Sequence, residues 1–170
     1  IVADGRLRGG VGGTGAEVGH PVLVLDGEAC TGGRRGCWEA YASATALIRQ
    51  GKRAAAAQPE SLLAGYGEGL TGKDVFDAAA AGDAAAQAVV DRYCVYVAAG
   101  ITDLVNILGP EKVLIGGGLS PPGGGLLGPL PADVAAHSFR GAAPCTPAPL
   151  MCPAGRTGGA DCAGGHLGMK

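Results

Sequence analysis

Charge and aromatic rings are both scarce in this chain. Only 16% of its 170 residues are Asp, Glu, Lys or Arg, 4% are aromatic, and one is tryptophan. The 13 Lys and Arg fall short of the 15 Asp and Glu. The basic footprint that a phosphate backbone demands is therefore missing, and no nucleic acid is expected to bind through this segment. No apolar run approaches the roughly 20 residues a helix needs to cross a bilayer, and the opening "IVADGRLRGG" lacks the apolar core of a secretory signal. The expectation is a soluble, cytoplasmic protein with no membrane partner. Few rings and much alanine also mean that each helix buries little area, so the core should be thin.

What is abundant is glycine, at 33 residues, and six cysteines stand at positions 30, 37, 94, 145, 152 and 162. In a cytosolic chain, cysteines sit reduced, buried or on a metal more often than in disulfides. Cys94 falls on the apolar side of a helical pattern and reads as a core residue. The length suits one domain, residues 1–170, with residues 132–170 weakly defined. Ile1 opens without Met in what reads as the middle of a strand, with Asp4-Gly5 as a hairpin turn. That start suggests a fragment of a longer protein with half a sheet lost upstream.

Four helices and a few strands can be placed. "PVLVL", Pro21 to Leu25, reads as a strand closed by Asp26-Gly27. A helix follows from Trp38 to about Ala57, with Tyr41, Ala44, Leu47 and Ile48 on one face. Pro59-Glu60-Ser61 ends it, and Leu62-Leu63 starts a short helical turn. Thr71 with Asp74 resembles a capping box, and Val75, Phe76 and Ala79 form an inward face. Gly82-Asp83 breaks that helix and caps the longest one, where Val89, Tyr93, Val97, Ile101, Leu104, Val105 and Leu108 recur at helical intervals up to Gly109-Pro110. "KVLIGGGLS" then reads as a buried strand emptying into glycines, an order typical of α/β proteins that bind ligand at a strand's carboxyl end. Further on, Ala132 to Phe139 reads as helical and "TPAPLM" as a proline-bearing edge strand.

The stretch "GHPVLVLDGEACTGGRRGCWEAYAS" carries the chemistry. His20, Cys30 and Cys37 offer one imidazole and two thiolates on a glycine-rich loop, where zinc favours four such donors. No CxxC or CxC pair is present. The residues alone leave a metal site, a substrate pocket, a redox pair and a plain turn open. Glu17 reads equally as a solvated loop acid, and Glu39 as a first-turn acid favoured by the helix macrodipole.

"GGVGGTGAEVGH", then nine residues, then "CTGGRRGCWEAYAS" resembles the sugar-site and zinc-loop signature of the repressor–open-reading-frame–kinase (ROK) family, nearest to its bacterial glucokinases. The similarity continues through "GDAAAQAVVDRYCVYVAAGITDLVNILGPEKVLIGGGLS" and fades after about Pro131. The resemblance implies an α/β, actin-like, hexokinase-type (ribonuclease H-like) fold, of which this chain is the second, C-terminal lobe. It implies ATP-dependent phosphorylation of a hexose, glucose to glucose 6-phosphate, with Mg²⁺ accompanying ATP and a homodimer as the assembly. Glu17, His20 and Glu39 match the positions that bind sugar hydroxyls, and Gly116, Gly117 and Gly118 match the adenosine-side loop, where glycines let backbone approach a nucleotide closely. The family's zinc is held by that His and three Cys in a Cys-x-Cys-Gly-x-x-Gly-Cys pattern. Here His20, Cys30 and Cys37 match, but Gly32 stands where the middle Cys belongs, which leaves Zn²⁺ an open expectation. An oxidised Cys30–Cys37 pair is the alternative fate of an empty loop. The family's Gly-Asn-Asp-Ala-Gly segment is altered in "AGRTGGADCAGG", with Arg156-Thr157 replacing Asn-Asp. No residue here matches the family's catalytic Asp, which belongs upstream, so the chain alone is expected to be inactive. Rival readings within the resemblance are a sugar-sensing repressor's effector domain, a kinase for N-acetylmannosamine, N-acetylglucosamine or fructose, and a degenerate, non-catalytic relative.

Overall fold

The computed structural model describes residues 1–116 and 130–139. It opens on a hairpin of β1 (Val2–Ala3) and β2 (Arg6–Leu7), in which Val2 faces Leu7 and Ala3 faces Arg6. Asp4 and Gly5 both have positive φ, 53° and 67°, as a two-residue turn matching the strands' twist requires. The turn expected at Asp4-Gly5 is therefore present.

The helices are α1 (Glu39–Ala42), α2 (Ala44–Ala57), α3 (Gly72–Ala80), α4 (Ala84–Leu108) and α5 (Leu130–His137). The core lies around α4, against which α2, α3 and α5 pack through Leu47, Val75, Val89, Tyr93, Ile101 and Val134. The caps read from the sequence hold. Thr71 and Asp74 form the reciprocal capping box of α3, and the Asp83 carboxylate accepts from the Ala86 N–H at the start of α4. Gly109 ends α4 in the left-handed conformation, φ 54°, which suits a glycine. Asp83 also accepts from the Leu62 N–H at 2.7 Å and the Ser61 hydroxyl at 2.9 Å, so one carboxylate joins α4 to the 3₁₀ segment Leu62–Gly69. Cys94 is buried among the α4 core residues, as expected, and burial pushes its thiol up to about 11.

Three expectations are corrected. The single helix from Trp38 to Ala57 is two. Ser43 takes an extended conformation (ψ 164°), and its hydroxyl accepts from the Ala46 N–H, so a side chain replaces the backbone partner there. The break changes the phase of the face. Ala44 is exposed, while Ala46, Leu47 and Gly51 are the buried residues of α2. Leu108 is likewise nearly half exposed, at the last residue of α4.

"PVLVL" is no strand. Val22 makes one isolated antiparallel bridge with Cys37, and Leu25 is 85% exposed. The run is held instead at two points: the Gly36 carbonyl receives the N–H groups of Leu23 at 2.7 Å and Val24 at 3.1 Å, and the Pro21 carbonyl accepts from the Trp38 N–H. In the run 111–116, Val113 is paired in a β-bridge, and Val113 and Ile115 pack against the core. "PVLVL" was read by its β-branched content, which measures fit to a pleated surface and needs a neighbouring strand to realise it. The remainder of "KVLIGGGLS", the "TPAPLM" edge strand and the glycine-rich tail lie outside the described residues.

Candidate functional site

Three segments meet at His20. The first is the loop before it, where the His20 N–H closes a turn on the Glu17 carbonyl at 3.1 Å. The second is the loop 29–36, closed by the antiparallel bridge between Ala29 and Arg35. The third is the start of α1. Two backbone bonds join the first and third: Glu39 N–H to the Gly19 carbonyl at 2.8 Å, and Trp38 N–H to the Pro21 carbonyl at 2.9 Å. The carbonyls on either side of His20 are thus both fastened to the beginning of α1. These are the orphan N–H groups every helix start must satisfy, and here they locate an imidazole.

The imidazole has two distinct edges. Nδ1 lies 3.3 Å from the Cys30 sulfur, while Nε2 lies 3.9 Å from a Glu17 carboxylate oxygen and 3.8 Å from one of Glu39. The two acids expected at a sugar therefore converge on one edge of the expected histidine, from separate segments. Glu39 is further fixed by the Thr31 hydroxyl, which donates to its other oxygen at 3.2 Å. His20 is 33% exposed at its side chain, Glu39 40% and Glu17 71%, so the acids line an open rim and not a closed cavity. The Cys30 sulfur beside Nδ1 raises the His20 pKa above its ordinary value; burial opposes this, and the Glu39 and Glu17 charges add to it.

On the Nδ1 side, donor atoms of His20, Cys30 and Cys37 all lie within 4.8 Å of one another. Cys37 is fully buried and Cys30 half-buried. The Gly32 N–H, first, then the Cys37 thiol and the imidazole hold the Cys30 thiol below its ordinary pKa, whereas the Cys30 sulfur and burial push Cys37 up. One imidazole and two thiols are donors that zinc accepts. Gly32 faces this cluster. A Cβ built there would stand 3.5 Å from His20 Nδ1 and 3.8 Å from the Cys30 sulfur. The backbone still brings position 32 to the donors, so what the loop has lost is a side chain and not its shape. The residues fit zinc as a three-donor centre.

Several supporting residues escaped the sequence reading. Gly36 has φ 77°, and a Cβ on it would stand 2.7 Å from the Val24 carbonyl carbon and closer still to its oxygen, so only glycine lets the loop close beneath Cys37. The Tyr41 hydroxyl accepts from the Glu28 N–H at 2.7 Å, and the Glu28 carboxylate binds Arg53 at 2.5 and 3.1 Å, which ties the loop to α2. Thr31 and Gly36 lie inside the quoted loop and could have been marked. Tyr41 and Arg53 could not, because their partners are 13 and 25 residues away. Gly116, the first of the nucleotide-side glycines, is exposed at the end of the run 111–116. Gly117 and Gly118 lie outside the described residues.

Comparison with protein families matches the ROK family over residues 1–159. The chain belongs to the ROK family. It is 42% identical over 143 residues to a glucokinase of Halalkalibacterium halodurans, a match covering 82% of this chain and 43% of that protein. A glucokinase of Thermotoga maritima is 39% identical over 167 residues, covering 95% and 53%. Among solved structures, a ROK glucokinase of Streptomyces griseus in complex with glucose and AMPPNP superposes with a TM-score of 0.72 at 36% identity, over 84% of this chain and 48% of that one. The ROK chain thus spans about half the length of the curated relatives it matches. Its fold class is the α/β, actin-like one of those neighbours, of which the described residues hold chiefly the helical part. Among the described residues no helix is long and apolar enough to cross a membrane.

Proposed function

We propose that this chain is the C-terminal, sugar- and nucleotide-binding lobe of an ATP-dependent hexose kinase, whose substrate is glucose and whose product is glucose 6-phosphate. The observation that carries this reading is the convergence of Glu17 and Glu39 on the Nε2 edge of His20. Two carboxylates and a ring N–H form a fan of two acceptors and one donor, which complements adjacent hydroxyls of a hexose. A site built to pair each hydroxyl rejects an analogue lacking one, because its own polar groups are then left unpaired. The names of the relatives support the same substrate.

The nucleotide is ATP with Mg²⁺, received in part by Gly116, Gly117 and Gly118. In phosphoryl transfer the protein supplies mainly positioning and electrostatics. Here Glu17, His20 and Glu39 hold the sugar. The base that removes the proton from the attacking hydroxyl is assigned to the upstream half, where the family resemblance puts the catalytic Asp that no residue here matches. Zinc would be held by His20 Nδ1 and the Cys30 and Cys37 thiolates, with water as the fourth ligand; when bound it would fix the imidazole tautomer so that Nε2–H faces the sugar. A cytoplasmic homodimer is the assembly proposed.

Calorimetric titration with glucose tests the reading. Glu39→Gln, which keeps shape but removes the charge, is expected to weaken binding by more than about tenfold, because a hydrogen bond to a charged group contributes about 1.5–3 kcal/mol. Equal affinity in the variant and the parent would remove the basis for the site. The repressor and N-acetyl-sugar readings are addressed by the same titration with xylose and N-acetylmannosamine in place of glucose.

A further inference from the structure

Trp38, the only tryptophan in the chain, precedes Glu39, and its indole is used by nothing in the reading above. That indole packs against α4 at Gly100. A Cβ built on Gly100 would stand 2.5 Å from Trp38 Cζ2 and closer still to Cδ2 and Cε2, so alanine cannot occupy position 100 while the ring stays. Gly100 is buried in the middle of a 25-residue helix, where glycine is disfavoured against alanine. The close approach of the ring accounts for it. The indole N–H donates to the Tyr96 carbonyl at 2.7 Å, one turn earlier on the same helix.

We propose that Trp38 is a positioning residue for the sugar site: its indole, seated on Gly100, sets where α1 begins, and so where the Glu39 carboxylate and the His20 imidazole stand. The proposal rests on the sugar-binding reading above and names how that site is held. The path is short and covalent or hydrogen-bonded at each step. The Trp38 side chain is clamped to α4. The Trp38 N–H holds the Pro21 carbonyl and the Glu39 N–H holds the Gly19 carbonyl, so both neighbours of His20 hang from the residue that the clamp fixes and the one after it. The far end of α1 is held by the same helix, since the Tyr93 hydroxyl donates to the Ala42 carbonyl at 2.9 Å and the Tyr41 and Tyr96 rings pack with centroids 4.8 Å apart. A four-residue helix has too few internal bonds to hold its own orientation; it takes its orientation from α4.

The test compares Gly100→Ala, Trp38→Phe and the double variant Gly100→Ala, Trp38→Leu with the parent, by amide hydrogen exchange and by glucose calorimetry. In Gly100→Ala the amides of Trp38 and Glu39 are expected to exchange at least about tenfold faster while core amides such as Val105 keep their protection, and the glucose Kd is expected to rise by about tenfold or more. Trp38→Phe keeps a ring but loses the bond to Tyr96 and should shift both readings the same way, less strongly. The double variant makes room for the methyl group and should recover most of the affinity. Parent-like exchange at Trp38 and Glu39, with parent-like glucose affinity, in a folded Gly100→Ala protein overturns the proposal; should that protein not fold, the same result in Trp38→Phe overturns it. The two levels separate cleanly. Glucose affinity unchanged by Glu39→Gln sinks the sugar reading, whereas affinity lost in Glu39→Gln but kept in Gly100→Ala sinks only the positioning role.

Discussion

Gly32 concentrates the chemistry of the loop in one missing side chain. A Cβ built on it would stand 3.5 Å from the His20 ring nitrogen, so the loop carries position 32 to where a fourth donor would start. Gly32→Cys is therefore expected to tighten zinc binding by on the order of a hundredfold, since a four-donor structural site contributes roughly 10 kcal/mol or more in all and one donor is about a quarter of it. Competition with a chromophoric chelator measures this, and unchanged affinity would show that position 32 does not face the ion. The cysteines should also differ in reactivity, because the thiolate is the nucleophile. Cys30 is half-buried with its pKa held down, so it should be alkylated early, whereas Cys94, buried and raised to about 11, should react only on unfolding. Site mapping by mass spectrometry after brief alkylation tells them apart.

The elements owe their placement to capping and burial in different proportions. Asp83 serves two of them, accepting from Ala86 on α4 and from Leu62 on the 3₁₀ segment. The N–H groups of Ala86 and then Leu62 hold its carboxyl below the ordinary value of 3.8. The sign follows from that lowering. The unfolded chain takes up the proton first as pH falls, so the stability that the ionised group contributes is present above the unfolded pKa and lost as pH drops through the folded one. Asp83→Asn should accordingly lower the melting temperature near neutrality and flatten its fall below about pH 4, so that variant and parent converge in acid, read as Tm against pH. Leu47, fully buried between α2 and its neighbours, works by packing alone; Leu47→Ala should cost about 2–5 kcal/mol in denaturant unfolding. The capped helices were legible in the sequence because their signals are local: Thr71 meets Asp74 three residues on, and Gly109 ends α4 by its own conformation. The run at Pro21–Leu25 was misread because its partners are the Gly36 carbonyl and the Trp38 N–H, contacts between distant residues that leave no pattern in the run itself.

At the scale of the molecule, about half of each matched relative's length has no counterpart here, and the proposed catalytic base lies in that half. The chain by itself is expected to bind glucose yet give no turnover in a coupled ADP-release assay. Turnover that Glu17→Ala abolishes would place the whole reaction on these residues. The sequence by itself determined the family, because the loop motif is short-range and chemically specific, and through that resemblance it marked His20, Cys30, Cys37, Glu17 and Glu39 as the residues to look for. Tertiary structure alone decided which edge of His20 meets the thiols and which meets the acids, and that α4 seats the Trp38 ring on Gly100. Apart from Glu17, three residues from His20, those facts depend on residues 10 to 62 positions apart being packed together, and packing between distant segments has no periodicity for a sequence to display.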